Sequence, residues 1–478
     1  MRRIFNVEFI YIIVAASVAI GLLFTGTFIG VADNGDFLRI MGTAGLNYYN
    51  IGESYEDRFF GFSHASFAYD TFFRGFYPST QIVLVVIARY ISLIFNGSAF
   101  DIRFLGAIYV VLLLTAGYLL IKYNKGKSLV VASVLAILML LIFTDIGYLA
   151  YFNSLYGEPV SYVFLLLTLA LGLVLTKQKH PTKRMLVLFY IAILFLVCSK
   201  TQNAPIGIAF ALLGLRYAWM KADDIRWRKL ALILSAATFL ISIVMYVAAP
   251  KDFKNINMYQ TVFFGILNGS PNVEGDLQAL GLPSKLSVLA GTNYFQTDTA
   301  IKQDDPTLTA DFYNRVSHAD VLLFYIKHPA RLLSKMEYAA ENGMNIRAYY
   351  LGNYEKLEGK PTGSISFDYS IWSEFKRNYI PNSLWFITLF FILYYAVAVY
   401  EWLRCNHIRS RIKVEIFILL GLIAIFSFLI PIIGDGQADL SKHLFLFNVA
   451  FDMMLASAVV WLVHRFCSIR LRRNDSSY

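Results

Sequence analysis

Charge is what this chain has least of. Only 15% of its 478 residues are Asp, Glu, Lys or Arg, against roughly 25% in soluble domains. With 57% hydrophobic residues and a mean hydropathy of +0.55, it has too few polar side chains to cover a water-facing surface. Cysteine is equally scarce. Cys198, Cys405 and Cys467 are too few and too scattered for a disulfide framework or a zinc site. No Walker A, GxGxxG, HExxH, GxSxG or CxxC pattern stands in a convincing context. That disfavours a built-in ATPase, a nucleotide-dependent oxidoreductase and a zincin. Long repeats and low-complexity tracts are missing too.

Apolar length is abundant. A spanning helix needs about 20 mostly apolar residues. Runs near that length cover residues 9–30, 104–123, 129–147, 160–176, 185–199, 204–220, 230–249, 384–403, 414–434 and 444–466, ten in all. The fold class this predicts is an all-α polytopic membrane protein. The net charge of +10 and the pI near 9.2 do not indicate nucleic acid. The basic residues sit in short clusters between the apolar runs, namely Arg2-Arg3 and residues 122–127, 177–184, 226–229, 404–413 and 465–473. Clusters so placed read as cytoplasmic topology signals in a lipid bilayer. The first apolar run, about 22 residues long, exceeds the usual signal-peptide core, so it is expected to stay as an uncleaved helix.

An eleventh apolar stretch, 81–97, decides the parity. It is short, follows Tyr77-Pro78 and carries Arg89, which would cost at least ~2.5–3.5 kcal/mol at mid-bilayer. It is therefore expected to lie at the outer interface. Ten spans then leave both termini inside. Residues 31–103, 148–159, 200–203, 250–383 and 435–443 fall outside. The expected division is a transmembrane module over 1–249, an outer loop domain over 250–383 and C-terminal spans over 384–478. Within the outer domain, 319–342 reads as helical, with Val321, Leu322, Tyr325, Leu332 and Leu333 on one face and a break near Pro329. The 470–478 tail is expected to be disordered.

Four polar groups gather at the outer face. Asp33-Asn34-Gly35-Asp36-Phe37-Leu38-Arg39 follows the first run, and Asp36 and Arg39 share a helical face. The plainer reading is a solvated loop in which Asn-Gly turns and Asp36 caps the next helix. Asn153, Ser154, Tyr156 and Glu158 crowd one short loop, as a sugar site needs. Glu158-Pro159 also suits a helix N-terminus on dipole grounds alone. Lys200, beside Gln202 and Asn203, has no local carboxylate. It either snorkels to the interface or meets a lipid phosphate. Asp435, Asp439, Lys442 and His443 form the fourth group. A calcium reading there lacks EF-hand spacing. Asp452, inside the last run, is either functional or paired with a neighbouring helix.

In order and placement these motifs resemble those of GT-C type membrane glycosyltransferases. There an acidic motif follows the first helix, juxtamembrane helices fill the first outer loop and a second polar motif follows the third helix. Asn34-Gly35-Asp36-Phe37, residues 152–159, 200–205 and 262–267, Gly281-Leu282-Pro283 and Lys442-His443 resemble, more narrowly, bacterial glycan-biosynthesis hexose transferases of the WsfD type. The first loop reads Asp-Asn-Gly-Asp instead of the common Asp-Glu pair. The resemblance implies inverting transfer of a hexose from a polyprenyl-phosphate-linked sugar to a glycan acceptor, outside a bacterial plasma membrane. Asp36 or Asp33 would be the base, with Glu158 orienting acceptor or sugar. Lys200, Arg39, Lys442 and His443 would stabilise the phosphate. Asn34, Asn153, Tyr156, Gln202, Asn203, Asp435 and Asp439 would contact substrate. No cofactor is established, and a metal is left unassigned. The rival is a flippase for lipid-linked sugars, which would favour repeated halves and broken helices.

Overall fold

The computed structural model describes residues 6–124 and 128–475. Arg2-Arg3, Lys125 and Lys127 of the basic clusters lie outside the described residues, as do residues 476–478 of the expected disordered tail. The rest of that tail is helical, correcting the expectation: the last helix runs Phe445–Asp475 because neither glycine nor proline interrupts it.

Each of the ten apolar runs forms helix, and the chain is an all-α polytopic membrane protein. Among the described residues, six helices are long and apolar enough to cross a membrane: Arg103–Asn124, Glu158–Lys177, Ile225–Val247, Leu384–Arg404, Ile408–Gly434 and Phe445–Ser468. Leu129–Phe143 and Ile146–Asn153 are a pair bent by 54°, which makes seven if the pair is counted as one span. Asp145 sits at the bend, and its Oδ1 accepts the Gly147 N–H at 2.7 Å. The remaining three, Val7–Leu23, Lys183–Val197 and Ile206–Met220, have 17, 15 and 15 residues. Fifteen residues span about 22 Å, short of the ~30 Å hydrocarbon core, so the expected count of ten spans includes three short ones.

Glu158–Lys177 is the hub. Its span window is 94% buried, and it packs on Arg103–Asn124, Lys183–Val197, Ile408–Gly434 and Phe445–Asp475. A helix apolar on every side is stable only when surrounded. The central position fixes Glu158, its first residue.

Gln81–Phe95 buries Gln81, Leu84, Val85, Ala88, Arg89 and Ser92 and exposes Val83, Ile87, Tyr90 and Ile94. Arg89 is turned into the first loop. Its Nε donates to the Gly45 carbonyl at 3.1 Å, and its guanidinium lies 4.5 Å from the Phe72 ring centre. The arginine is thus satisfied without facing lipid. The same loop holds a small antiparallel sheet that hydropathy does not reveal. Its strands are β1 (Leu46–Tyr48), β2 (Ser66–Tyr69) and β3 (Phe100–Asp101), in the order β1-β2-β3.

The 250–383 stretch has two packing environments. Met258, Tyr259, Phe263, Leu277, Phe312 and Tyr325 belong to a core of their own. Ala339, Met344, Ile346 and Leu351 join the main core. Helices His318–Lys327 and Pro329–Glu341 meet at His328, as the proline predicts. The buried face is Val321, Phe324 and Tyr325, whereas Leu322 and Leu333 are exposed, against expectation.

Candidate active site

Asp33 builds the first part of the site. It is fully buried. Its Oδ1 accepts the backbone N–H of Gly35 at 2.7 Å and of Phe37 at 3.1 Å, and its Oδ2 accepts from the Tyr48 hydroxyl. Asp33 therefore caps the Phe37–Ala44 helix. Asp36, expected in that role, occupies the N-cap position without a side-chain cap bond. A second turn passes through Gly35, at φ +102°, a conformation open to glycine at no steric cost. Asp33 has no exposure, and its carboxylate oxygens already accept three hydrogen bonds.

Freed from capping, the Asp36 carboxylate turns outward with a quarter of its side chain exposed. Oδ1 accepts from Arg39 Nη2 at 2.6 Å, one helical turn on. Oδ2 accepts from Lys442 Nζ at 2.5 Å. Burial by itself would raise its pKa. The Arg39 and Lys442 charges, with Lys200 beyond, outweigh it and hold the carboxyl well below the usual carboxylate range. Arg39 is sandwiched by aromatics, 4.6 Å from the Phe253 ring centre and 5.9 Å from that of Tyr77.

Lys442 is 1% exposed, lies 5.1 Å from the Tyr156 ring centre and is 3.9 Å from Asp439 Oδ2. Burial would lower its pKa, but Asp36, Asp439 and Glu158 raise it above the ordinary lysine value. Asn34 closes the ring. Its Nδ2 donates to Asp439 Oδ2 at 2.8 Å, and its Oδ1 accepts from the Tyr156 hydroxyl at 3.1 Å. Asp439 adopts φ +45°, an uncommon value for a residue other than glycine. It turns the 435–443 loop back over the site. That loop is seated on a π-helical turn, Gln260–Ile266, where a Cβ at Gly265 would meet Gly436 Cα at 2.9 Å.

Lys200 has a partner the local sequence does not show. Its Nζ donates to Glu158 Oε1 at 2.7 Å. Glu158 is 2% exposed, and its Oε2 is buried without a hydrogen-bond partner. His443 bridges Asp435 Oδ2 at 2.7 Å and Gln202 Oε1 at 3.1 Å. Burial pushes the Asp435 carboxyl up, against the opposing pull of His443.

Two expected substrate contacts point elsewhere. Asn153 Nδ2 donates to the carbonyls of Leu23 and Ile29 at 3.1 and 2.9 Å, tying the end of the first helix to the hub. Asn203 Nδ2 donates to Ser161 and Ser199 Oγ, both at 2.9 Å, inside the bundle. Both are buried, because a polar side chain in a buried turn first satisfies nearby backbone and hydroxyl groups. Tyr48, Tyr77, Phe253 and Tyr350, which the sequence did not single out, complete the surroundings. Asp452 is paired as the alternative expectation had it. Its Oδ1 accepts from Lys376 Nζ at 2.5 Å, and its Oδ2 accepts from Tyr148 Oη at 2.6 Å and Trp372 Nε1 at 2.7 Å.

The Asp33 environment makes a stability prediction. Burial, opposed by the Tyr48 and backbone bonds, pushes its carboxyl up to about 6. The folded group takes a proton more readily than an unfolded aspartate near 3.9. Its contribution is therefore full below about pH 4 and is lost as pH rises through about 6. Thermal unfolding in micelles should show this loss in the wild type and not in Asp33→Asn. Equal slopes in the two proteins would contradict it.

A helical bundle with paired acids and cations gathered at one end of its spans defines a polytopic membrane protein with a charged cluster at that end. The chain belongs to the YfdI N-terminal transmembrane domain family, which matches residues 1–477. It is similar to the uncharacterized protein YfdI of Escherichia coli strain K12, at 26% identity over 385 residues, 78% of this chain and 77% of that one. Among solved structures it is similar to the archaeal oligosaccharyltransferase AglB from Archaeoglobus fulgidus in complex with an inhibitory peptide and a dolichol-phosphate, at a TM-score of 0.40 and 14% identity. It is also similar to the Archaeoglobus fulgidus oligosaccharyltransferase in the apo form, at a TM-score of 0.40 and 11% identity. These matches cover 97% and 98% of this chain, which spans about half the length of either structure, 52% in both cases.

Proposed function

We propose that the chain is a GT-C-like glycosyltransferase. It moves a hexose from a polyprenyl-phosphate-linked donor to a cell-surface glycan or lipid-linked acceptor, outside a bacterial plasma membrane and with inversion. The observation that carries this reading is the Asp36 carboxylate, partly exposed and held between Arg39 and Lys442. A carboxylate base and fixed cations are what the transfer requires. The motif order shared with GT-C enzymes, and with hexose transferases of the WsfD type, supports the same reading.

The acceptor oxygen attacks the anomeric carbon as the bond to the phosphate oxygen breaks. The bonding pair leaves with the phosphate, and the acceptor proton passes to Asp36. Asp36 is a weak base at rest. The hydroxyl needs little help until the new bond forms, so a weak carboxylate suffices. The donor phosphate shares Arg39 and Lys442, which loosens their hold on Asp36 and strengthens the base. Lys200, kept in place by Glu158, adds charge on the leaving side. Preorganised charge of this kind is usually the larger contribution. Glu158 Oε2, unpartnered at the edge of the cluster, accepts from a sugar hydroxyl.

The test is sugar transfer by purified protein in proteoliposomes with polyprenyl-phosphate hexoses, wild type beside Asp36→Asn. Loss of about 10²–10⁴-fold in the variant is expected. Near-normal turnover would remove Asp36 as the base. Lipid-linked sugar that changes leaflet without release would identify a flippase. Labelling of Asp101→Cys from outside and Lys179→Cys from inside would check the proposed topology.

A further inference from the structure

Two partly exposed aromatic side chains stand at the rim of the cluster. Phe60 is 38% exposed and Tyr350 40% exposed. Their ring centres are 6.5 Å apart, with planes inclined at 50°. Phe60 adopts φ +65°, a conformation bulky side chains rarely accept. It is held there from both sides. Its N–H donates to the Asp33 carbonyl at 2.8 Å, and its carbonyl accepts the Gly352 N–H at 2.8 Å. The clamp leaves no room for adjustment. A Cβ at Gly352 would run into the Gly61 carbonyl, and the Gly363 N–H donates to that carbonyl at 3.0 Å. The chain thus holds a partly exposed phenyl ring in an unfavourable backbone conformation, one backbone hydrogen bond from Asp33. Such outliers persist only where the surroundings over-determine them.

Tyr350 joins this rim to the charged cluster. Its phenol feels the charge of Asp439, and Asp439 in turn holds Asn34 and lies beside Lys442. Burial, then the charges of Asp439 and Asp36, push its phenol up. It stays neutral, so its hydroxyl keeps a proton to donate.

We propose that Phe60 and Tyr350 form the acceptor subsite, a two-ring platform that takes the apolar C–H face of a pyranose ring while its hydroxyls turn towards Asp36 and Asp439. This inference rests on the glycosyltransferase reading and deepens it. Aromatic rings supply large, rigid contact area at low entropy cost, and a few convergent polar groups set orientation. A sugar has that division of character, one apolar face and a polar rim. A lipid tail would leave the Tyr350 hydroxyl and the surrounding charges unused.

The platform is tested by saturation-transfer NMR on the full chain in nanodiscs with methyl glycosides of glucose, galactose, mannose and rhamnose. The wild type should bind at least one. Phe60→Leu and Tyr350→Leu together should weaken that binding roughly tenfold, while Tyr350→Phe should retain most of it. The two single leucine variants keep the test usable should the double variant fail to fold. Binding of none of the four by the wild type, or undiminished binding by the leucine variants, would overturn the platform. Wild-type sugar binding without glycosyl transfer from any donor would sink the enzyme reading and leave the platform standing. Transfer with unchanged binding in the variants would sink the platform alone.

Discussion

Replacing Lys442 by methionine should lower turnover with a polyprenyl-phosphate hexose by about 10²–10³-fold. Methionine fills similar volume, so the loss isolates the charge. Lys442 is buried against the Tyr156 ring and kept cationic by the acids around it. Its removal acts twice. The leaving phosphate loses a fixed cation, and Asp36 loses one of the three cations that hold its pKa down. The sign of the second effect is checkable. Asp36 is ionised across the working range in the wild type. With Arg39 and the more distant Lys200 left, its pKa rises, and an acid limb should move up into the measurable pH–rate profile. Lys442→Arg keeps the charge and should recover part of the rate. A Lys442→Met enzyme with normal kcat and an unchanged profile would reduce Lys442 to a fastener for the 435–443 loop.

The second large effect concerns stability. Asp452→Leu alone, or Lys376→Met alone, should cost about 3–5 kcal/mol, because each leaves an uncompensated buried charge. Both side chains have no exposure, and 2.5 Å separates their charged atoms. The double variant should recover part of the loss and no more. Tyr148 and Trp372 both donate to Asp452 Oδ2, and each would be left without an acceptor, at about 1–3 kcal/mol apiece. Unfolding of the three variants in mixed micelles reads this directly. Single variants as stable as the wild type would mean that the pair ties nothing together. The tie is substantial on structural grounds. Asp145 Oδ2 also accepts the N–H groups of Trp372 and Ser373, at 2.8 and 3.0 Å, so the Ile371–Tyr379 helix is fixed to the spans at two places.

The helices were legible because the signal for them is local. Every apolar run is a helix, and the proline at 329 breaks one where a proline should. The pairings were not legible. Lys442 lies 406 positions from Asp36, and Lys200 lies 42 from Glu158. Hydropathy could place all four near one membrane face but could not say which acid meets which cation. Asn153 and Asn203 misled for a related reason. A loop asparagine looks the same in sequence whether it faces a substrate or a neighbouring carbonyl. Gly30 and Gly106, which leave no room for a Cβ beside Asn153, were the missed hint of close packing. Lys376 was hidden because it lies in a polar segment, where one lysine among several carries no distinguishing mark. The β1–β3 sheet was too short to leave an alternating pattern.

The separate core around Tyr259 and Phe312 means that two parts of one chain answer to different solvents. That unit hides its apolar side chains from water and draws its stability from the hydrophobic effect. Its neighbours in the spans have no such incentive, since acyl chains are as apolar as leucine, and helices there associate through close fit and polar bonds. Urea should therefore melt this unit at concentrations that leave the spans intact. A harsh detergent should do the reverse, loosening the bundle while the unit stays folded.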